Sequence, residues 1–167
     1  MADTPPEDAQ ATATAEGAGA APGFQVVTQY VKDLSFENAN APHSLMQGGE
    51  APNIEVSANL EARGMAQDMV EVELSITATA TRESQRLFLV EVLYAGLFRI
   101  RAPNQEALNE VCLVECPRLL FPFVRRVIAD ATRDGGYTPL LLDPIDFLRL
   151  YRERQGVKIG GDGRAPN

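Results

Sequence analysis

The chain has 167 residues, 45% of them hydrophobic, with 23 acidic and 15 basic side chains that give a net charge of −8. This length fits one domain with its own core, and the excess of acid argues against a nucleic-acid binder, which needs a basic surface. No run approaches the ~20 apolar residues of a membrane span, and we expect a cytoplasmic protein because a secretory signal and a disulfide framework are both lacking.

The two ends of the chain differ in composition from its middle. The first 22 residues are mainly alanine, threonine, proline and acid, and the last 12 are rich in glycine. Such segments have too few large apolar side chains to bury. We therefore predict a disordered Ala-rich acidic tail over 1–23, a folded domain over 24–155 and a flexible tail over 156–167.

Four stretches have the features of β-strands. Residues 24–33 are rich in β-branched and aromatic side chains, whereas 53–60 and 70–80 alternate apolar and polar residues. In the first stretch the alternation places four side chains on one side: Phe24, Val26, Thr28 and Tyr30. One polar face is typical of an antiparallel sheet. Residues 87–99 are apolar on both faces, so a helix, another subunit or a ligand is expected to cover the second one.

Helices are predicted in the C-terminal part. The first is capped by Asn104 and ends before Pro117, because proline interrupts a helix. The second spans about 121–134 and stops at two glycines. The third spans 144–155, with Asp143 as its N-cap. Strands followed by helices predict an α+β fold, in which a four-stranded antiparallel sheet has C-terminal helices packed on one face.

Residues suited to catalysis or metal binding are scarce. His43 is the single histidine, and Cys112 and Cys116 are four residues apart. They could supply three zinc ligands only if His43 folds onto the helix that carries both thiols, so two small buried side chains are the simpler interpretation. The chain has no GxxxxGK[ST] phosphate loop and no GxSxG nucleophile elbow. A cysteine enzyme that uses either thiol with His43 remains an alternative, although no base-orienting group is evident.

Two surface features stand out once catalysis is set aside. Acidic residues collect on the polar face of the predicted sheet, which is either a solvated face or a docking surface centred on Leu89. The acidic residues are Asp33, Glu37, Glu55, Glu71, Glu73 and Glu91. Apolar side chains also recur in the loop-like segments 41–52, 117–123 and 137–142, which is typical of a partner or ligand site.

Several runs of the chain resemble the SecB family of protein-export chaperones. The most specific is ECPRLLFPF at 115–123. The other matching runs are YVKDLSFE at 30–37 with NAP at 40–42, VEVELSITATA at 70–80, FLVEV at 88–92 and LDPIDF at 142–147. They are colinear and cover about residues 24–151.

The resemblance implies a homotetramer, built as a dimer of dimers, that holds unfolded secretory preproteins without ATP and delivers them to the translocase motor SecA. It implies that the zinc-bearing C-terminal segment of SecA binds at four residues: Asp33, Glu37, Leu89 and Glu91. It implies a client-peptide groove lined by seven residues: Leu45, Met46, Ile54, Phe121, Phe123, Leu142 and Phe147. A chaperone of this kind needs no catalytic residue, cofactor, nucleic acid or membrane insertion, and the zinc belongs to its partner. The alternative is a SecB-like holdase that serves another system, such as toxin–antitoxin control.

Overall fold

The structure, a computed structural model, describes residues 23–46, 48–66 and 68–157, with side chains up to residue 153. Four strands are followed by a helical region. The elements are β1 (Gly23–Glu37), α1 (His43–Met46), β2 (Asn53–Gly64), β3 (Met69–Arg82), β4 (Gln85–Arg101), α2 (Gln105–Glu110), a π-helical segment (Val111–Glu115), α3 (Cys116–Asp134) and α4 (Phe147–Val157). Apart from Gly23, Gly156 and Val157, the predicted tails lie outside the described residues.

The strands form one antiparallel sheet in the order β1-β4-β3-β2. Because side chains alternate along a strand, the pairing places even-numbered residues of β2, β3 and most of β4 on one face and odd-numbered residues on the other. We call the even face, which carries the helices, the inner face, and the odd face the outer face. The predicted α+β fold with an antiparallel four-stranded sheet is confirmed.

The core lies between the inner face and the helices. The β3 side chains Val72, Leu74 and Ile76 are completely buried. Helix α3 packs against β3 and β4 and adds Leu120 and Val124 to the same apolar cluster. The helices therefore cover one face of the sheet, as predicted from the alternation.

A β-bulge overturns the predicted facing of β1. The register between β1 and β4 shifts at Val27, which is an extra residue without a partner in the pairing. An extra residue reverses the alternation beyond it. Phe24 and Val26 therefore face inward, whereas Thr28 and Tyr30 pair with outer-face residues of β4. The prediction that all four share one side is wrong.

The helical region is more continuous than predicted. The chain does not leave the helix before Pro117; it runs from α2 through the π-helical segment into α3. Pro117 lies in the first turn of α3, the part of a helix that best accepts a missing N–H. Pro122 lies inside the same helix, so the predicted start near residue 121 is also wrong. The predicted stop is confirmed by Gly135, which is the C-cap.

Helix α4 begins later than predicted. Its first residue is Phe147, three positions after the expected start at residue 144. The Asp146 carboxylate accepts a hydrogen bond from the Arg149 backbone N–H at 3.0 Å, which is the contact of a capping side chain. Asp146, rather than Asp143, therefore satisfies a free N–H group at this end.

Candidate functional site

The outer face brings together the four residues predicted to bind SecA. Glu37 of β1 and Leu89 of β4 are direct partners in the register. Glu91 lies opposite Ser35, and Asp33 is the next outer-face residue of β1. All four therefore lie on two adjacent strands, on the sheet face opposite the helices. We call Asp33, Glu37, Leu89 and Glu91 the acidic patch.

The carboxylates of the acidic patch are exposed, and nearby cationic groups neutralise their negative charge only weakly. Glu37 forms an ion pair with Arg86 at 3.1 Å, but about half of each side chain is exposed, and such pairs contribute at most about 1 kcal/mol. Glu91 accepts a long hydrogen bond of 3.4 Å from the Ser35 hydroxyl. Asp33 makes no ion pair with any residue that the structure describes. The patch therefore presents negative charge around the half-buried Leu89 side chain.

Beside the acidic patch, a second bulge in β1 brings a lysine to the outer face. The register shifts again at Lys32, and its ammonium group pairs with Glu71 at 3.0 Å and with Glu73. The Tyr30 hydroxyl donates a hydrogen bond to Glu71, and Arg63 lies 3.8 Å from Glu73. We call these five residues, Tyr30, Lys32, Arg63, Glu71 and Glu73, the ion-pair cluster.

Because of the ion-pair cluster, the exposed acidic surface is smaller than predicted. Hydrogen bonds from Tyr30 and Lys32 lower the pKa of Glu71, and hydrogen bonds to Glu73 and Glu71 raise the pKa of Lys32. Glu71 and Glu73 are only 8% and 6% exposed. For these two glutamates the expectation of a solvated or docking surface is therefore wrong, because cationic side chains from β1 and β2 pair with them.

The seven predicted groove residues differ in exposure. Exposed fractions are 43% for Leu45, 78% for Met46 and 38% for Phe123, whereas Ile54 is half-buried and Phe121, Leu142 and Phe147 are buried. The Phe121 and Phe147 rings meet edge to face, with centroids 6.1 Å apart, and join α4 to α3. The set therefore combines side chains at the surface with side chains that lie beneath it.

A cleft of about 360 Å³ opens between the inner face of β2 and the segment around the start of α4. Six residues line it: Val56, Ala58, Leu142, Asp143, Ile145 and Leu150. Leu142 is thus the predicted groove residue that lines this cleft, and Ile54 lies one step along the same face of β2. Val56 is not among the seven predicted groove residues, although the alternation of β2 places it next to Ile54 on the same face.

The thiols have properties opposite to those of a catalytic cysteine. Cys112 and Cys116 are buried and free. Burial raises the pKa of Cys112 to about 11 and raises that of Cys116 as well, whereas a reactive thiol has a lowered pKa. Within residues 23–46, 48–66 and 68–157, no group of three or more potential ligands is placed to hold a metal ion. In the same part of the chain, no helix is long and apolar enough to cross a membrane.

Comparison with known proteins gives concordant results. The family described as preprotein translocase subunit SecB matches residues 17–158. A protein-export protein SecB of Parvibaculum lavamentivorans is 52% identical over 81% of this chain and 81% of its own length. A protein-export protein SecB of Bradyrhizobium diazoefficiens is 44% identical over 97% of this chain and 94% of its own.

Among solved structures, a SecB-like chaperone of Mycobacterium tuberculosis in complex with a ChAD peptide from the HigA1 antitoxin has a similar fold. Its TM-score is 0.63 at 16% identity, over 73% of this chain and 90% of that one. The family match spans both the sheet and the helices described above. The chain therefore belongs to the SecB family of protein-export chaperones.

Proposed function

We propose that this protein is an ATP-independent cytoplasmic holdase that keeps secretory preproteins unfolded and delivers them to SecA. The observation that carries the proposal is the separation of two surfaces by the sheet. The acidic patch lies on the outer face, whereas exposed apolar side chains accumulate on the side of the helices. One protein with two such surfaces can hold a client and dock on a charged partner at the same time.

Client binding is assigned to the apolar side. Met46, Leu45 and Phe123 are exposed there, and the cleft beside Val56 adds a concave apolar site. Exposed apolar surface that is not needed for the core is typical of binding sites, and a flexible methionine adapts to varied side chains. Several weak contacts of this kind retain an extended chain through their combined effect.

Docking on SecA is assigned to the acidic patch. The three exposed carboxylates surround Leu89, so a cationic, zinc-bearing segment finds charge complementarity at the rim and an apolar contact at the centre. Charge complementarity of this kind mainly increases the association rate and the selectivity for the partner. Delivery then requires no change at the client surface on the other side of the sheet.

The edge strand β1 supports the proposed homotetramer, a dimer of dimers. Its inner-face residues Phe24, Val26, Val31 and Leu34 stay 38–45% exposed in the single chain, although their partners on β4 are buried. An uncovered strand edge with an apolar face favours pairing with another chain. A second copy of the protein would cover these side chains, which would account for their being apolar.

The test of the proposal separates the two surfaces by mutation. Glu91→Lys replaces one carboxylate of the acidic patch with a cation, and Glu110→Lys makes the same charge change at an exposed position on α2. We expect Glu91→Lys to weaken binding of the zinc-bearing C-terminal peptide of SecA by about tenfold or more, and Glu110→Lys to leave it unchanged. Binding of a reduced, unfolded polypeptide should stay the same in both variants. Loss of both activities in Glu91→Lys would refute the two-surface arrangement.

The alternative function, control of a toxin–antitoxin pair, uses the same apolar side. The Mycobacterium tuberculosis protein of the same fold was solved with an antitoxin peptide, and the alternative predicts a chain for which the acidic patch is dispensable. Unchanged SecA-peptide binding in the Glu91→Lys variant, with tight binding of an antitoxin segment, would favour it.

A further inference from the structure

The outer face carries its charges unevenly along the strand direction. The acidic patch lies toward the β3–β4 turn, at the end where Glu37 pairs with Leu89. The ion-pair cluster lies toward the β2–β3 turn, where Arg63 is opposite Glu71. One face of a single sheet thus has an acidic half and a half in which the charges are paired.

A further glutamate lies in the acidic half, on the far strand. Glu55 of β2 is opposite Thr79 of β3, Thr79 is opposite Leu89 of β4, and Leu89 is opposite Glu37 of β1. One row of outer-face side chains therefore crosses all four strands with a carboxylate at each end. At about 4.8 Å between neighbouring strands, Glu55 lies roughly 10 Å from the strand of Leu89.

The side chain of Glu55 is available to a partner. It is exposed, and it makes no ion pair with any described residue. The row between it and Leu89 contains only the half-buried Thr79 side chain, which does not block a ligand lying across the strands. A cationic segment bound at Leu89 could therefore also contact Glu55 if it lies across the strands.

Glu61 lies on the same face of the same strand but has different surroundings. It pairs with Arg63 at 2.9 Å, and its neighbour across the pairing is Glu73, which Lys32 and Arg63 already compensate. Arg99, farther along the outer face, is exposed and makes no ion pair among the described residues. A cationic ligand that shifts toward this half finds carboxylates that are already paired with Lys32 and Arg63, and Arg99 adds a positive charge there. This half therefore attracts a cation less than the acidic half does, and such a difference contributes to selectivity.

We propose that the docking surface extends across the sheet from Glu37 through Leu89 to Glu55 and ends at the ion-pair cluster, so that the cationic partner lies across the strands. The inference rests on the proposed function, because it takes the partner to be the cationic segment that binds the acidic patch. It adds Glu55 as a contact residue and makes Lys32 and Arg63 the boundary that sets the position of the partner.

The experiment compares Glu55→Gln with Glu61→Gln in the full chain. Both substitutions remove one negative charge from an exposed side chain of β2, six residues apart on the same face. The probe is the zinc-loaded C-terminal peptide of SecA, titrated at low and at physiological ionic strength. We expect Glu55→Gln to weaken binding by about two- to fivefold, the range of an exposed ion pair, and to reduce the salt dependence. Glu61→Gln should leave both quantities unchanged.

Two outcomes would overturn the inference. Equal weakening by both substitutions would mean that the peptide senses only the net charge of the protein. No weakening by Glu55→Gln would mean that the surface ends at β4. Failure of the proposed function itself is recognised separately, because Glu91→Lys would then leave binding of the same peptide unchanged.

Discussion

Gly96 lies on the inner face of the sheet against Leu120 of α3, and it has no room for a side chain. A methyl group at this position of the inner face would lie 2.6 and 2.8 Å from two carbons of the Phe98 ring and 2.9 Å from a Leu120 methyl group. Non-bonded carbons prefer about 3.5–4.0 Å, so both neighbours would have to move by roughly 1 Å. Phe98 and Leu120 are completely buried, so a shift of either side chain would disturb the close packing around it.

We therefore expect Gly96→Ala to destabilise the fold. Overpacking of a core costs about 1–3 kcal/mol, and the lower flexibility of alanine in the unfolded chain offsets about 0.4–1 kcal/mol of this. Since three contacts are involved, the expected net loss is about 2 kcal/mol. Urea unfolding at a fixed protomer concentration measures it, because the stability of an oligomer depends on concentration.

Gly64→Ala is the matched control for Gly96→Ala. Gly64 ends β2, and a methyl group there meets no atom within 4 Å. Its unfolding free energy should change by less than about 0.5 kcal/mol, as is usual for an exposed substitution. If Gly96→Ala were as stable as Gly64→Ala, the close packing of α3 on β4 would be refuted.

Two further substitutions test the core and the ion-pair cluster. Val92 is 1% exposed on the inner face, so Val92→Glu should lower the free energy of unfolding by about 4 kcal/mol or more, or abolish folding. Leu93→Glu, on the outer face, should be tolerated. Equal urea midpoints for the two variants would contradict this assignment of the faces. The pKa of Glu71 is lowered in the fold by hydrogen bonds from Tyr30 and Lys32, so its stabilisation is present above its ordinary value of 4.5 and is lost as the pH falls through the folded-state value. The difference in unfolding free energy between the native protein and Glu71→Gln should therefore be largest near neutral pH and shrink below about pH 4.5; a constant difference would rule out this linkage.

Much of the fold follows from local alternation. The uninterrupted apolar and polar alternation of β2 and β3 predicts their two faces correctly, because a period of two has only one arrangement on a pleated strand. The same reasoning placed Leu89 and Glu91 on one face of β4, and that face lies away from the helices. The bulge at Val27 has no clear signal in a run of β-branched and aromatic residues, so the prediction for β1 failed at that point.

The helix boundaries around Pro117 and before α4 were predicted wrongly for two physical reasons. Pro117 predicts a helix end when it is considered alone, but a π-helical turn before it lets the chain continue. The competition between Asp143 and Asp146 as the N-cap of α4 depends on how the segment before it packs. Two aspartates three positions apart are not distinguished by capping propensity.

The sequence by itself determined the family, the order of four strands followed by the C-terminal helices, the polar face that carries the acidic patch, and the excess of apolar side chains. Each of these depends on neighbouring residues or on colinear runs. Only the tertiary structure decided that Lys32 and Arg63 compensate Glu71 and Glu73 while Glu55 stays unpaired. Electrostatic compensation depends on distances between side chains of different strands, and the bulge at Lys32 sets those distances.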